Sequence, residues 1–526
     1  MPKGYLALLL HAHLPFVRHP EYSNFLEEDW LFEAITETYI PLLLAYNRMR
    51  NDGVPFKVTM SLTPPLLCML GDDILQKRYD RHLNKLVELA EKEVKRTNTN
   101  GHLNYLAQYY LDHFNELRGF WNGCNHDLIS EFRKFMEIGN LDIITCGATH
   151  GYLPLMKRNP KAVNAQIKVA VDTHEQFLGV KPKGIWLPEC AFYEGLDKIL
   201  AKNGLRYFVV DTHGILFAHP RPKYQNYAPL FCNGSGVAAF GRDLETSVQV
   251  WSKDSGYPGD PDYREFYRDI GYDLELDYIK PYIQPNGERK NTGIKYHRIT
   301  GKGGHKELYD PYWAREKAAM HSANFMYNRE KQIEFLSHKM DREPFILAPY
   351  DAELFGHWWF EGPQWIEFLF RKSVYDQNTY ELTHMRDYLS NNPVQQVSSP
   401  AESSWGNAGY HEFWLSDSNG WIYRHLHKAA DRMTEMANKY PDAYDLYKRV
   451  LDQMARELLL AQSSDWAFII KSDTMVEYAR KRTVNHLRRF TRFYNELQSG
   501  QIDEDWLNKV EAVDNIFPQI DYKAYL

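Results

Sequence analysis

The sequence is poor in cysteine. Cys68, Cys124, Cys146, Cys190 and Cys232 are the whole complement, an odd number with no CxxC pair, so neither a disulfide framework nor a thiolate zinc site organises the chain, and a reducing compartment suits it. It also lacks long apolar runs. No stretch approaches the roughly 20 residues a membrane helix needs. The run from Met1 to Leu10 stops at His11 without a small-residue cleavage site, too short for a secretion signal, so a cytoplasmic protein is expected. There is no basic excess: 62 Lys and Arg against 69 Asp and Glu give a net charge of -7, scattered along the chain, which speaks against a nucleic-acid partner. Repeats and low-complexity tracts are missing too. What is present is length for two or three packed units in 526 residues, and aromatics at 14%, which serve either as core filler or as platforms for sugar rings.

Seven short apolar or β-branched runs read as buried parallel strands: 5–10, 56–63, 142–149, 184–187, 207–210, 237–240 and 345–348. Helical patterns such as 31–50 and 164–177 separate most of them, which implies a parallel α/β sheet, open or closed into a barrel. Polar groups follow the strands: His11 and His13, His150, Glu189, Asp211 and His213, Arg242 and Asp243, Asp351 and Glu353. In a parallel barrel the strand C-termini share one mouth, so the fold expected is α/β, an incomplete (β/α)7 barrel over 1–400. A helical insertion (about 66–139) and a loop-rich insertion (about 245–304) interrupt it. After about Pro400 the strand signal stops, and 401–526 reads as a C-terminal α-helical domain.

Glu189, beside Pro188, and Asp351, after Tyr350, each fall just past a strand. Two carboxylates at one mouth suit retaining glycoside chemistry, one attacking the anomeric carbon and the other exchanging protons with the leaving and accepting oxygens. The plainer reading of a single rim carboxylate is a helix cap. His11 and His13 alternate, so on an extended backbone they share a face. With His150, Asp211 and His213 they fit a zinc site, a set of hydrogen-bonding groups around a sugar, or buried histidines satisfied within the core, and the residues alone leave the first two level with the third slightly behind. Trp358, Trp359 and Phe360 follow Asp351. Trp405 lies in a Ser- and Gly-rich run suited to exposure, with Trp414 nine residues on.

Five segments, in order, resemble glycoside hydrolase family 57 and within it the α-1,4-glucan branching enzymes: His11-Ala12-His13-Leu14-Pro15, Ala148-Thr149-His150-Gly151-Tyr152, Trp186-Leu187-Pro188-Glu189-Cys190-Ala191, Asp351-Ala352-Glu353-Leu354-Phe355-Gly356-His357-Trp358-Trp359 and Ser463-Ser464-Asp465-Trp466. The resemblance implies a (β/α)7 barrel, a helical C-terminal region, and a retaining mechanism with no metal or organic cofactor. It places the nucleophile on Glu189 and the acid/base on Asp351. It implies α-glucan contacts from His11, His13, His150, Trp186, Asp211, Arg242, Tyr257, His357, Trp358, Trp405, Trp414, Asp465 and Trp466. Gly256-Tyr257-Pro258-Gly259 resembles the branching-enzyme loop whose tyrosine covers the cleft, although Ser255 stands where a second tyrosine is expected.

The function expected is cleavage of an α-1,4-glucan and transfer of the segment to a glucose 6-hydroxyl, with a monomer the simpler assembly. The rivals are an α-amylase-type hydrolase, a metal-dependent carbohydrate deacetylase-like enzyme using His11, His13 and Asp211, and a silent glucan-binding protein.

Overall fold

The computed structural model describes residues 2–526 apart from 253, 254 and 302. Its strands are β1 (Gly4–Ala12), β2 (Val58–Leu62), β3 (Leu141–Ile144), β4 (Gly184–Trp186), β5 (Tyr207–Val210), β6 (Leu230–Phe231), β7 (Ala238–Gly241), β8 (Phe345–Asp351), β9 (Tyr380–Leu382) and β10 (Gln396–Val397). Every run read as a strand contains one, although 142–149 is strand only to Ile144. The short pieces β6, β9 and β10 escaped the reading because two or three residues carry no periodicity.

One sheet runs β3-β2-β1-β8 with β9 beside β1, and the other runs β10-β6-β7-β5-β4. All pairings are parallel except β6 with β7. The sheets meet twice: Thr145 bridges Ile185, and the Asp243 N–H donates to the Leu347 carbonyl at 2.9 Å. Alternation along the strands sorts the side chains. Ala7, Leu9, Ile144, Trp186, Tyr207, Val209, Ala238, Phe240, Phe345 and Leu347 form one buried cluster between the two sheets, while Leu6, Leu8 and Leu10 join the larger core outside. Two residues past Leu9, the same parity brings His11 to the end of that interior, and Asp351 follows Phe345 and Leu347 likewise. Register sets the two abreast, with His11 paired to both Ser61 and Asp351.

The segment between β2 and β3 is helical, in Pro64–Leu70, Asp73–Arg96, Gly101–Gly123 and Leu128–Glu137. The stretch after β7 is more ordered than its Gly, Pro and Tyr content suggests. It opens with a helix, Leu244–Trp251, and later folds around the buried Asp269 carboxylate, which accepts the N–H groups of Gly271 at 2.7 Å and Thr292 and Gly293 at 2.9 Å. After β10 come five helices of the C-terminal region: Trp421–Lys439, Asp445–Ala461, Ser464–Ser472, Val476–Ser499 and Glu504–Val513. The third had registered in the sequence only as a motif. Among the described residues no helix is long and apolar enough to cross a membrane.

Helix Glu28–Ala34 passes into a π-helical turn, Ile35–Tyr39, before continuing as Ile40–Asn51. Such a widened turn often marks a functional region. Here it presents Glu37 to Arg264 at 2.9 Å and to His357 at 2.7 Å. Gly356 lies against it with φ +119°, where an added Cβ would stand 1.8 Å from the Glu37 carbonyl oxygen. Neither the conformation nor the space admits a side chain. Gly356→Ala is therefore expected to lower stability by at least about 2 kcal/mol, read as a fall in denaturation midpoint with an unchanged denaturant slope.

Candidate active site

The strand ends open into a cavity of about 830 Å³. It is lined by His11, His13, His150, Glu189, Arg242, Asp351, His357, Trp358, Trp405 and Asp465, all expected from the sequence, and by Trp30, Glu33, Leu244, Val248, Trp251, Glu353 and Phe468, which were not named as site residues. A cavity of similar size, about 1000 Å³, lies between the 19–27 segment and the helix Val476–Ser499, where Glu21, Glu27, Asp473 and Glu477 are interleaved with Arg480, Lys481, Arg482, Arg488 and Arg489. Chemistry, not volume, separates the two.

Glu189 reaches the cavity through an unusual backbone. It has φ 62° and ψ 25°, and Cys190 (φ 52°) and His150 (φ 56°) are also left-handed. Such conformations cost roughly 1–3 kcal/mol each in side-chain-bearing residues and persist where the surroundings over-determine them. The surroundings do so here. The Trp405 indole N–H donates to one Glu189 carboxylate oxygen at 2.8 Å and the Ser464 hydroxyl to the other at 2.9 Å, and the Trp405 backbone N–H donates to the Glu189 carbonyl at 3.0 Å.

The two carboxylates sit in different fields. Burial pushes Glu189 up to about 7, with the Trp405 and Ser464 donors pulling the other way. Asp351 is raised well above the ordinary carboxylate range by burial and by the Glu353 and Glu189 charges, while Arg242 opposes the shift; among the described residues no hydrogen bond to its carboxylate offsets the rise. Asp465, despite burial, is held down to about 2 by His13, 3.1 Å away, and His13 is correspondingly raised by Asp465 against its own burial. Glu353 accepts the His13 N–H at 3.2 Å and the Tyr39 hydroxyl.

The histidines spend their ring nitrogens inside the protein. His11 bonds Ser61 at 3.2 Å and His150 at 3.0 Å. His150 also bonds Ser464 at 2.8 Å, and His13 bonds Thr63 at 3.1 Å as well as Asp465. What they leave for a ligand is ring edge and face. Groups that could share a metal ion among the described residues are His11–Cys146–His150, His13–His150–Asp465 and Glu457–His486–Asp514. The first two reuse those engaged nitrogens. The third is hemmed by Arg482 and Arg489, whose charge opposes a cation.

The model for glycosyl hydrolase family 57 matches residues 7–322. The chain belongs to glycosyl hydrolase family 57. A second model, for the C-terminal region of 1,4-alpha-glucan branching enzymes, matches residues 425–525. A 1,4-alpha-glucan branching enzyme of Thermococcus kodakarensis is 35% identical, over all of this chain and 79% of its own length. Among solved structures, an α-amylase of Thermotoga maritima is 47% identical, with TM-score 0.94 over all of this chain and 99% of that one. A family 57 branching enzyme of Pyrococcus horikoshii is 32% identical, with TM-score 0.89 over 100% and 97%.

Several residues read as glucan contacts stand behind this family 57 cavity rather than in it. Trp186 is fully buried, with its ring against His11 and Trp405. Asp211 is buried and ion-paired with Arg242 at 2.7 Å and His213 at 3.0 Å. It aims the guanidinium and lies apart from the His11–His13 group, which disperses the zinc set of the deacetylase-like rival. Trp414 is buried and stacked on Tyr152 at 4.3 Å, in a space that Gly406 leaves by having no Cβ. Trp466 is buried, its indole donating to the Leu460 carbonyl at 2.8 Å. Tyr257 turns away from the cleft: its ring stacks on His321 at 4.6 Å and its hydroxyl donates to Asn324 at 2.7 Å, since a half-apolar ring finds more burial there than at a solvent-facing tip. Two residues of its loop, 253 and 254, lie outside the described ones. The missed wall residues Leu244, Val248 and Trp251 follow i, i+4, i+7 spacing on one helix face, a signal that could have found them.

Glu189 is raised to about 7 by burial with two donors favouring its anion, and Asp351 is raised well above the ordinary carboxylate range by burial and by the Glu353 and Glu189 charges. A reaction that needs the first ionised and the second protonated therefore gains rate as pH rises through the value near 7 and loses it as pH rises through the raised range of Asp351. The expected kcat/KM profile is a bell whose acid limb lies near neutrality, well above the ~4.3 of an ordinary glutamate, measurable by initial rates on amylose in constant-ionic-strength buffers.

Proposed function

We propose that the chain is a 1,4-α-glucan branching enzyme with a retaining double displacement. Glu189 attacks the anomeric carbon of an α-1,4-linked glucosyl unit as Asp351 passes its proton to the departing O4. The Asp351 carboxylate then takes the proton of an acceptor 6-hydroxyl, whose oxygen displaces Glu189 and leaves an α-1,6 branch. The observation that carries this reading is the carboxylate pair in one cavity with opposed environments, one hydrogen-bonded as an anion and the other raised without a donor. The match of the C-terminal region to branching-enzyme models and the branching-enzyme relatives support the choice of acceptor. A cavity walled by Leu244, Val248, Trp251 and Phe468 favours a carbohydrate over water at the glycosyl-enzyme. His13, Arg242, His357, Trp358, Trp405 and Asp465 touch glucan directly in this reading, and Trp186, Asp211, Trp414 and Trp466 hold them in place.

The same reading takes the two sheets as an incomplete barrel of seven strands, β1–β5, β7 and β8, closed through Thr145–Ile185 and Asp243–Leu347. It spans 1–400, with a C-terminal helical domain over 401–526. The place of action is the cytoplasm, in glycogen-type synthesis, consistent with five unpaired thiols.

A second reading, α-1,4-glucan hydrolysis, is favoured by one specific pair of observations: the 47% identity to an α-amylase structure and the inward packing of Tyr257. Amylose treatment separates the two. Branching creates α-1,6 signals in proton NMR with few new reducing ends, whereas hydrolysis creates reducing ends without α-1,6 linkages. Asp351→Asn should cost at least about 10²-fold in either activity, and exhaustive chelation should leave the rate unchanged. Because Tyr257 is packed against His321, Tyr257→Ala is expected to lower the melting temperature while preserving the ratio of branches to reducing ends. A fall in that ratio at intact cleavage rate would show that the tyrosine swings over the cleft during transfer.

A further inference from the structure

Ser464 lies in the Ser-Ser-Asp-Trp segment, and no role in the chemistry above belongs to it. It is fully buried and is attached to the barrel twice: its backbone N–H donates to the His150 carbonyl at 3.0 Å, and its side chain stands 2.8 Å from His150 Nδ1 and 2.9 Å from Glu189 Oε1. A hydroxyl has one proton. A carboxylate oxygen only accepts, so that proton goes to Glu189, and the Ser464 oxygen must accept from His150. His150 is then protonated at Nδ1. Its Nε2, 3.0 Å from His11 Nε2, needs one donor between them. Both rings are buried beside the His13 that pairs with Asp465, and both are driven well below the usual histidine range, by burial first and by neighbouring imidazoles second. With both neutral, His11 carries its proton on Nε2 and donates to His150, and its bare Nδ1 accepts from the Ser61 hydroxyl at 3.2 Å. The Ser61 hydroxyl also lies 3.5 Å from the Thr145 carbonyl, the longer of its two contacts, so its proton goes to His11 and the row has one direction.

We propose that Ser464 is the positioning residue of the nucleophile, the last link of a directed hydrogen-bond chain from Ser61 through His11 and His150 that delivers one proton to Glu189 Oε1 and fixes two neutral histidine tautomers. The proposal rests on the reading of Glu189 as nucleophile. Its consequence is that His11 and His150 act on the carboxylate through Ser464 rather than on sugar hydroxyls. With Trp405 on Oε2, the chain holds both carboxylate oxygens of a residue whose backbone is itself left-handed, so the attacking geometry does not depend on substrate to form. It also favours the anion, against the burial that works the other way. His150 Nδ1 also comes within 3.6 Å of Glu189 Oε1; the other charged and titratable groups facing Glu189 are His13, Asp465, Asp351, Arg242, Tyr152, Tyr423, Cys146 and Cys190, and a change at Ser464 leaves all of them in place.

The test pairs kinetics with a measurement on the unmodified protein. Ser464→Ala should lower kcat at pH 6 by roughly 10- to 150-fold, the span of one hydrogen bond to a charged group, with KM within about twofold. The acid limb of its pH profile should move up by about one unit, because a carboxylate that loses a donor holds its proton to higher pH. Ser464→Thr, which keeps the hydroxyl, should recover most of the rate and the wild-type profile. A Ser464→Ala enzyme with wild-type kcat and profile overturns the proposal, as does a threonine variant as slow as alanine at an unchanged melting temperature. If neither variant folds, 15N spectra of histidine-labelled wild-type protein decide: His150 as Nδ1–H and His11 as Nε2–H support the chain, and the opposite tautomer or an imidazolium at either ring refutes it. Failure of the underlying reading is distinguishable. A Glu189→Ala enzyme that still transfers glucan removes the nucleophile assignment and leaves the tautomers as they are.

Discussion

A carboxylate cannot be buried at the bottom of an apolar cleft unless something donates to it, because the desolvation of an isolated anion far exceeds what packing returns. Much of this structure is arranged around that constraint. Glu189 sits past the end of β4, in a strained turn, and its own strand supplies no donor. Both donors come from residues more than two hundred positions later, Trp405 and Ser464. The C-terminal region is therefore part of the site and not an appendage to the sheets. Its attachments, Ser463 bridging Gly151 and Thr149 bonding the Leu459 carbonyl, run alongside the histidine and carboxylate cluster.

The contrast between the two carboxylates follows from the same constraint applied unevenly. Glu189 receives two donors that favour its anion against the burial that raises it. Asp351 receives none from the described residues, and burial with the Glu353 and Glu189 charges raises it well above the ordinary carboxylate range. Both lie within one cavity, so the difference comes from where donors and like charges are aimed and not from depth of burial. Environment-driven separation of two acids is how acid and base roles are assigned in general.

Around that pair the polar groups are layered. Asp211 holds Arg242, Glu37 holds His357, Asp465 holds His13, and Tyr39 and the His13 backbone hold Glu353. The π-helical turn at Ile35–Tyr39 supplies two of these supports, Glu37 and Tyr39, from positions two apart that a regular helix would space differently. Outside the polar layer, an apolar wall from the helix Leu244–Trp251 and from Phe468 limits water. Hydrolysis and transfer share every step up to the glycosyl-enzyme, so these walls and the acceptor contacts, more than the carboxylates, decide between the two.

The seven strands and the polar residues at their ends could be read from the chain alone, because a run of buried apolar residues is a local property. The strand ends brought His11, His13 and Asp351 together, and they line one cavity, while the ordered motifs carried the family. Local pattern could not say which aromatic rings face the cleft: Trp405 does, while Trp414 and Trp466 are buried beneath it, a difference set by a missing Cβ at Gly406 and by an indole reaching the Leu460 carbonyl. Nor could it say that Tyr257 folds back on His321, that Asp211 serves Arg242 and not a metal, or that Ser464 meets Glu189 across 275 positions. Hydrogen-bond partners separated that far are chosen by how independent elements dock, and docking leaves no periodicity in the sequence.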